Sequence, residues 1–277
     1  MGNITSLKRS GLQDGGTFGL IDNLEYSYNG NMLMSVNDKV TSPTYNNATD
    51  FHGVSNNDAG GYEYDANGNL IRDDYKKFSS ISYNFLNLPC KFKRTQDVIL
   101  YQYDAVGEKQ NIKWNNGHIS VKEYDYCDNY IYEDGILKQI LIPDGYITFS
   151  NNKPVYHAFI KDHLGSNRVV VDQNGNKEQV NHYYPYGGLM AESTDSEEQQ
   201  FKYNGKEFNP MSGINLYDYG ARFYDPAIGR FTTQDPLAEK YGPTSPYVYC
   251  LNNPMNCVDP DGKKSCSFWN KTSCGCK

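Results

Sequence analysis

Glu25-Tyr-Ser-Tyr-Asn-Gly-Asn31 and Glu63-Tyr-Asp-Ala-Asn-Gly-Asn69 align with Glu, Tyr, Asn, Gly and Asn in register. The Tyr frame recurs at Tyr83 (Tyr-Asn-Phe-Leu-Asn-Leu-Pro) and Tyr103 (Tyr-Asp-Ala-Val-Gly-Glu-Lys), with Tyr45 (Tyr-Asn-Asn-Ala) between the first two. From Tyr26 through Tyr45, Tyr64 and Tyr83 to Tyr103 the steps are 19, 19, 19 and 20 residues. A period near twenty fits one strand pair per unit, and a lone hairpin buries its apolar face only against its neighbours. Tyr45 is the weakest member, because Ser42-Pro43 ahead of it reads as loop. The frame predicts that Tyr26, Tyr64, Tyr83 and Tyr103 share one face of a continuous antiparallel sheet. It also predicts strand content well above the globular norm of about a quarter.

Composition agrees. The 277 residues hold 25 Tyr and 25 Gly, only 38% hydrophobic residues and a net charge of −7, at a mean hydropathy of −0.73. Such low hydropathy would suggest disorder, but each Tyr buries a large ring while its hydroxyl reaches water or a partner. Asn-Gly pairs start at Asn29, Asn67, Asn116, Asn174 and Asn204, and Asp-Gly pairs at Asp14, Asp134, Asp144 and Asp261, which are hairpin turn signals. No stretch approaches the roughly 18 apolar residues of a membrane helix, and Met1 to Ser10 lacks the apolar run of a signal peptide. An acidic balance without clustered Lys or Arg argues against nucleic acid as a partner.

These signals set the organisation of the chain. Residues 1–111 carry the repeat. Within 112–190 the strict period fades, but Ile119 to Tyr124, Tyr130 to Tyr132, Gln139 to Ile142, Tyr146 to Phe149 and Val169 to Val171 read as short strands. Residues 191–200, with Glu192, Asp195, Glu197 and Glu198, read as a mobile acidic loop. Residues 201–262 are dense in Tyr, Pro and Gly, with one helical turn expected at Leu237 to Lys240. The tail, 263–277, is too short and polar for a domain.

At this level of detail the residues carry a family resemblance. The Tyr-Asp-Ala-Asn-Gly-Asn-Leu unit resembles the YD repeats of Rhs proteins. His163-Leu-Gly-Ser-Asn-Arg168 and Tyr184-Pro-Tyr-Gly187 resemble signatures of the Rhs-associated core. The block from Gly205-Lys-Glu-Phe through Gly213-Ile-Asn-Leu-Tyr217-Asp-Tyr-Gly-Ala-Arg222-Phe-Tyr-Asp-Pro226, Gly229-Arg-Phe-Thr-Thr-Gln-Asp-Pro236 and Tyr247-Val-Tyr to Asp259-Pro-Asp-Gly262 resembles the end of that core almost throughout. The resemblance implies an all-β array of antiparallel hairpins forming part of a shell, with a C-terminal core or plug. It implies a scaffold and carrier of a bacterial polymorphic-toxin system that cleaves itself from its effector using two aspartates and an arginine. Matched residue by residue, these are Asp235, Asp259 and Arg222, with the scissile bond after Gly262.

Many relatives have an apolar residue after that Gly, whereas here Lys263-Lys264 comes next, and only fifteen residues remain. The effector is therefore expected to be missing from this chain, and its partners to be its own shell repeats or a C-terminal toxin module encoded elsewhere, with a secretion apparatus as a further candidate. It would be secreted or surface-borne without its own signal peptide or as part of a longer protein, and otherwise cytoplasmic. A second reading is a surface adhesin or carbohydrate-binding β module, since exposed Tyr faces stack on sugar rings. A third is an inert orphan remnant.

The chemistry is coherent by itself. Two close carboxylates do not both ionise easily, so one keeps a proton while the other accepts one from water, and a guanidinium fork can hold either. The bland alternative is that Asp-Pro pairs form turns, as Asp225-Pro226 does with no assigned role. Other chemistry is thin, and neither a cofactor nor a metal is expected. Cys90, Cys127, Cys250 and Cys257 read as strand or loop fillers. Cys266, Cys274 and Cys276 lack a fourth ligand for a soft metal. Asp65-Ala-Asn67-Gly68 lacks the closing ligands of a calcium loop and reads as a turn, and His163 reads as a strand residue.

Overall fold

Alternation of Tyr and Ile with polar residues produces strands, which hold 50% of the residues. The computed structural model describes residues 2–13, 16–40, 49–51, 61–117, 121–194, 199–263 and 265–267. Among them the helical segments are 3-10 turns of three or four residues. The expected helical turn is one of these, at Ala238–Tyr241.

Strands β1 (Ser6–Leu12), β2 (Phe18–Asn29) and β3 (Met32–Asp38) form a three-stranded sheet, and β4 (Tyr62–Tyr64) pairs with β5 (Leu70–Asp73). An eleven-stranded antiparallel sheet comes next, in strict chain order. Its strands are β6 (Ser80–Tyr83), β7 (Pro89–Arg94), β8 (Asp97–Tyr103), β9 (Lys109–Asn115), β10 (Val121–Cys127), β11 (Tyr130–Glu133), β12 (Ile136–Ile142), β13 (Gly145–Ser150), β14 (Lys153–Lys161), β15 (Asn167–Asp172) and β16 (Lys177–Val180). The C-terminal block contributes β17 (Glu207–Asn209), β18 (Leu216–Asp218), β19 (Phe223–Asp225) and β20 (Arg230–Phe231) as a small sheet, and β21 (Cys257–Val258) paired with β22 (Cys266–Ser267).

One five-residue loop recurs through the array. In 65–69, Asp65 N donates to Asn69 O and Gly68 N to Asp65 O, while Asp65 Oδ1 accepts Asn67 N and Asn69 N at 2.9 and 2.8 Å. Asn84, Asp104, Asp162 and Asp172 cap the loops they open in the same way. The fourth residue has positive φ, at Gly68 (77°), Asn87 (58°), Gly107 (91°), Gly165 (82°) and Gly175 (83°). The residue after Tyr64, Tyr83 and Tyr103 (Asp65, Asn84 and Asp104) is therefore a turn cap that satisfies two amides. Asp65-Ala-Asn67-Gly68 is such a turn, as its sequence suggests.

This loop corrects the tyrosine frame. Pairing slips by one residue directly before Tyr28, Tyr64, Tyr83 and Tyr103, so Tyr28, not Tyr26, is the counterpart of the other three. Hydroxyls of Tyr28, Tyr83 and Tyr103 donate to the carbonyls of Ile4, Leu70 and Pro89, each from an earlier segment. The two Asn-Gly pairs look alike in sequence but turn differently. Gly30-Asn31 closes a two-residue turn between Asn29 and Met32, whereas Asn67 is the third residue of a five-residue loop. The frame also spans three sheets rather than one continuous sheet. Tyr45 lies outside the described residues.

Further expectations change locally. Asp144-Gly145 is not the turn: Pro143-Asp144 is, and Gly145 starts β13 opposite Ala158. A Cβ there would fall 1.9 Å from the His157 carbonyl oxygen, so close backbone approach requires the glycine. His163 sits in the loop after β14, not in a strand, with Nε2 3.1 Å from Met255 O. The acidic segment is anchored at both ends, since Ser193 and Gln199 are buried and bond to His182 N and Phe201. Residues 195–198 lie outside the described residues.

One face of the strand array carries Leu24, Phe92, Ile99, Tyr101, Ile112, Tyr124 and Ile131, and it packs on Met211, Ile214, Leu216 and Phe223 of the C-terminal block. At roughly 1.5–3 kcal/mol per buried large apolar side chain, this contact dominates the attachment of the block to the wall. Charge pins it as well: Lys109 Nζ on β9 lies 2.5 Å from Glu207 Oε2 and 2.7 Å from Asp218 Oδ2. A second core is built from Tyr183, Tyr203, Tyr217, Tyr219, Tyr224 and Tyr249 with Phe231.

Candidate functional site

Arg222 follows the turn after β18, where Tyr219 N donates to its carbonyl. Its side chain runs inward, 2% exposed, with the guanidinium carbon 3.6 Å from the centre of the Phe231 ring. A buried cation of this kind requires acceptors on every side. Nε donates to Gly262 O at 2.5 Å, Nη1 to Pro246 O at 3.1 Å, and Nη2 to Asp235 Oδ2 at 3.1 Å and Asp259 Oδ2 at 3.3 Å.

The three residues singled out in the sequence thus meet, together with the carbonyl of the expected scissile bond. Each aspartate uses both oxygens. Asp235 Oδ1 caps Leu237 N at 2.7 Å, and Asp259 Oδ1 accepts Gly262 N at 2.8 Å, so each forms its turn with one oxygen and faces Arg222 with the other. Turn formation and contact with Arg222 therefore fall on the same two side chains. Gly262 has φ +76°, and a Cβ there would stand 3.0 Å from Arg222 N, so glycine lets the chain pass this close. Pairing of β21 with β22 clamps the chain on both sides of Gly262.

The two carboxyls differ in burial. Asp259 is 1% exposed, whereas Asp235 is only partly buried. Burial pushes the Asp235 carboxyl above the usual carboxylate range, Arg222 pulls it back, and Asp259 adds to the rise. Burial also holds the Arg222 guanidinium below its ordinary value against the attraction of Asp235 and Asp259. Lys206, which the sequence does not single out, donates from Nζ to Pro260 O at 2.6 Å and so braces the 259–262 turn. Its only signal is a Lys in a Gly-Lys-Glu run.

Elsewhere, Cys90, Cys127, Cys250 and Cys257 are free thiols, and Cys274 and Cys276 lie outside the described residues. Asp22, Asp38 and Asp50 bring carboxylate oxygens within 4.8 Å of one another, and Arg9 Nε lies 2.6 Å from Asp22. No helix among the described residues is long and apolar enough to cross a membrane.

Capped five-residue loops, an antiparallel strand wall in chain order and a C-terminal block packed on its inner face define a YD-repeat shell segment. The chain belongs to the Teneurin YD-shell family, whose pattern matches residues 17–255. It is 34% identical to Salivary gland surface protein 1 of Aedes aegypti over 72% of this chain and 6% of that protein. It is 36% identical to Toxin subunit YenC1 of Yersinia entomophaga over 36% of this chain and 10% of that protein. The crystal structure of TcdB2-TccC3-TEV has the same fold, with a TM-score of 0.64 and 20% identity over 93% of this chain and 15% of that one. The chain therefore spans only a small part of the length of these relatives.

Proposed function

We propose that this chain is the closing segment of a YD-shell scaffold for a toxin-type cargo, and that its C-terminal block cuts the bond after Gly262 to free the segment on the far side. The observation that carries the reading is the Arg222 Nε hydrogen bond to the Gly262 carbonyl oxygen, with Asp235 and Asp259 on the same guanidinium. A donor aimed at that oxygen stabilises the charge that develops there when a nucleophile adds to the carbon. Water adds to the Gly262 carbonyl carbon and gives a proton to Asp235, and the proton then reaches the Lys263 nitrogen as the C–N bond breaks. Asp259 holds the turn and keeps Arg222 in line.

Support for the scaffold comes from the wall–plug contact and from a relative that bears the name of a toxin subunit. The tyrosines favour it over an adhesin, since Tyr101, Tyr124, Tyr217, Tyr219, Tyr224 and Tyr249 turn inward. Export as part of a larger secreted assembly belongs to the same reading.

Intact mass during incubation of the purified chain tests it. Loss of the fifteen residues after Gly262 is expected, and Asp235→Asn and Asp259→Asn should each prevent it while the fold persists. A complete mass after long incubation makes the aspartates turn formers and leaves the scaffold alone. Lys263→Leu then separates a poor substrate from a dead site, because burying a charge beside the aspartates is costly.

A further inference from the structure

The groups around Lys109 are arranged as reactants as well as ion partners. Lys109 opens β9, Tyr126 lies near the end of β10, and Glu207 on β17 stands directly opposite Asp218 on β18. Nζ is 2.5 Å from Glu207 Oε2 and 2.7 Å from Asp218 Oδ2, and the three side chains are 12%, 10% and 11% exposed. The remaining oxygens are held too: Glu207 Oε1 accepts the Tyr126 hydroxyl at 2.6 Å, and Asp218 Oδ1 accepts Gly220 N at 2.8 Å. The Tyr126 ring lies over the amine, its centre 4.6 Å from Nζ.

An amine, a carboxyl carbon and a second carboxylate thus meet in a site largely closed to water. Groups held together in this way react as parts of one molecule, at effective concentrations far above those of free amine and acid. Burial works to discharge the Lys109 ammonium, while Asp218 and Glu207 hold it well above its ordinary pKa. Its proton therefore leaves only to a carboxylate inside the group, and that transfer neutralises two buried charges at once.

We propose that Lys109 and Asp218 condense to an intramolecular isopeptide bond that ties the C-terminal block to the wall, with Glu207 as the catalytic acid and base. Glu207 takes a proton from Nζ, and the freed amine adds to Asp218 Cγ while Gly220 N steadies the charge that gathers on Oδ1. Glu207 carries two protons in turn from Nζ to Oδ2 and ends as it began. The Nζ–Cγ bond forms, the Cγ–Oδ2 bond breaks, and Oδ2 leaves as water. Nothing is oxidised, and no other reactant is needed. The freshly folded chain holds the ion pair, and the amide accumulates from it whether or not the Gly262–Lys263 bond is cut.

Intact mass of the denatured full-length chain, followed over time and joined to proteolytic peptide mapping, tests this. A species lighter by one water is expected to accumulate, with a branched peptide that joins Lys109 to Asp218. Loss of the fifteen residues after Gly262 is a separate and much larger change in mass. Lys109→Arg, which keeps a cation between the carboxylates, should stay unbranched, and Glu207→Gln should slow branching about a hundredfold. A wild-type chain that stays linear after long incubation overturns the proposal. So does a water lost only as a cyclic imide at Asp14, Asp134, Asp144 or Asp261, each followed by Gly, because Lys109 and Asp218 then map to separate peptides. A branch from Lys109 to Glu207 overturns the assignment to Asp218, and an unchanged rate in Glu207→Gln overturns the role of Glu207.

Discussion

Arg222 and Gly262 are bound twice over: Nε of the arginine donates to the glycine carbonyl at 2.5 Å, and the glycine Cα lies against the Arg222 backbone, so a Cβ would stand 3.0 Å from its amide nitrogen. Gly262→Ala adds that Cβ at φ +76° and pushes the carbonyl off Nε. The expected cost is about 1–2 kcal/mol of stability, with cleavage slowed at least tenfold. Thermal unfolding and intact mass on the same sample measure the two effects.

Lys109 holds the C-terminal block to the wall. Its removal in Lys109→Met leaves Glu207 and Asp218, both nearly buried, facing each other without a cation. Urea unfolding should show a loss of about 3–5 kcal/mol. Adding Glu207→Gln and Asp218→Asn should recover a large part of it, since the uncompensated charge causes most of the loss.

The loop cap makes a finer test. Asp104 Oδ1 accepts two amides, and Asn84 does the same in the preceding loop. Asp104→Asn should therefore be nearly neutral, whereas Asp104→Ala should cost about 1 kcal/mol in chemical denaturation, as loss of a cap does. Equal effects of the two substitutions would show that the charge, not the cap, matters.

Asp73 gives a pH signature. Its carboxyl is buried and pushed up to about 7, chiefly by burial, with Lys76 opposing and Asp225 adding to the rise. The folded value lies above the unfolded one, so the native state binds this proton more tightly. Its contribution is fully present below about pH 4 and is lost as pH rises through about 7. Asp73→Asn, which still offers Lys76 N an acceptor, should gain on wild type by a few kcal/mol between these limits in urea titrations. A constant difference across that range would contradict the burial of an ionisable carboxyl there.

Strand content, chain-order pairing and hairpin units were legible because they depend on local period and turn chemistry. The frame was misaligned because Asn29-Gly30 and Asn67-Gly68 share letters but not loop length, which depends on the caps at Asp65 and Asn69. Gly145 looked like a turn residue because its close partner, His157, is remote in sequence. Arg222, Asp235 and Asp259 form no local pattern, so only the family resemblance singled them out. Lys206 stayed hidden because its significance is a contact with the Pro260 carbonyl, and contacts between distant segments leave no mark on the residues themselves.

The central claim is that the Arg222 cluster acts on one peptide bond by adding water to it. Incubating the purified chain in ¹⁸O-enriched water and mapping its C-terminal peptides tests that most directly. The account predicts a new C-terminus at Gly262 carrying one ¹⁸O in its carboxyl, absent from Asp235→Asn and Asp259→Asn. A terminus at any other residue, or an uncut Gly262–Lys263 bond in the wild-type chain, would contradict it.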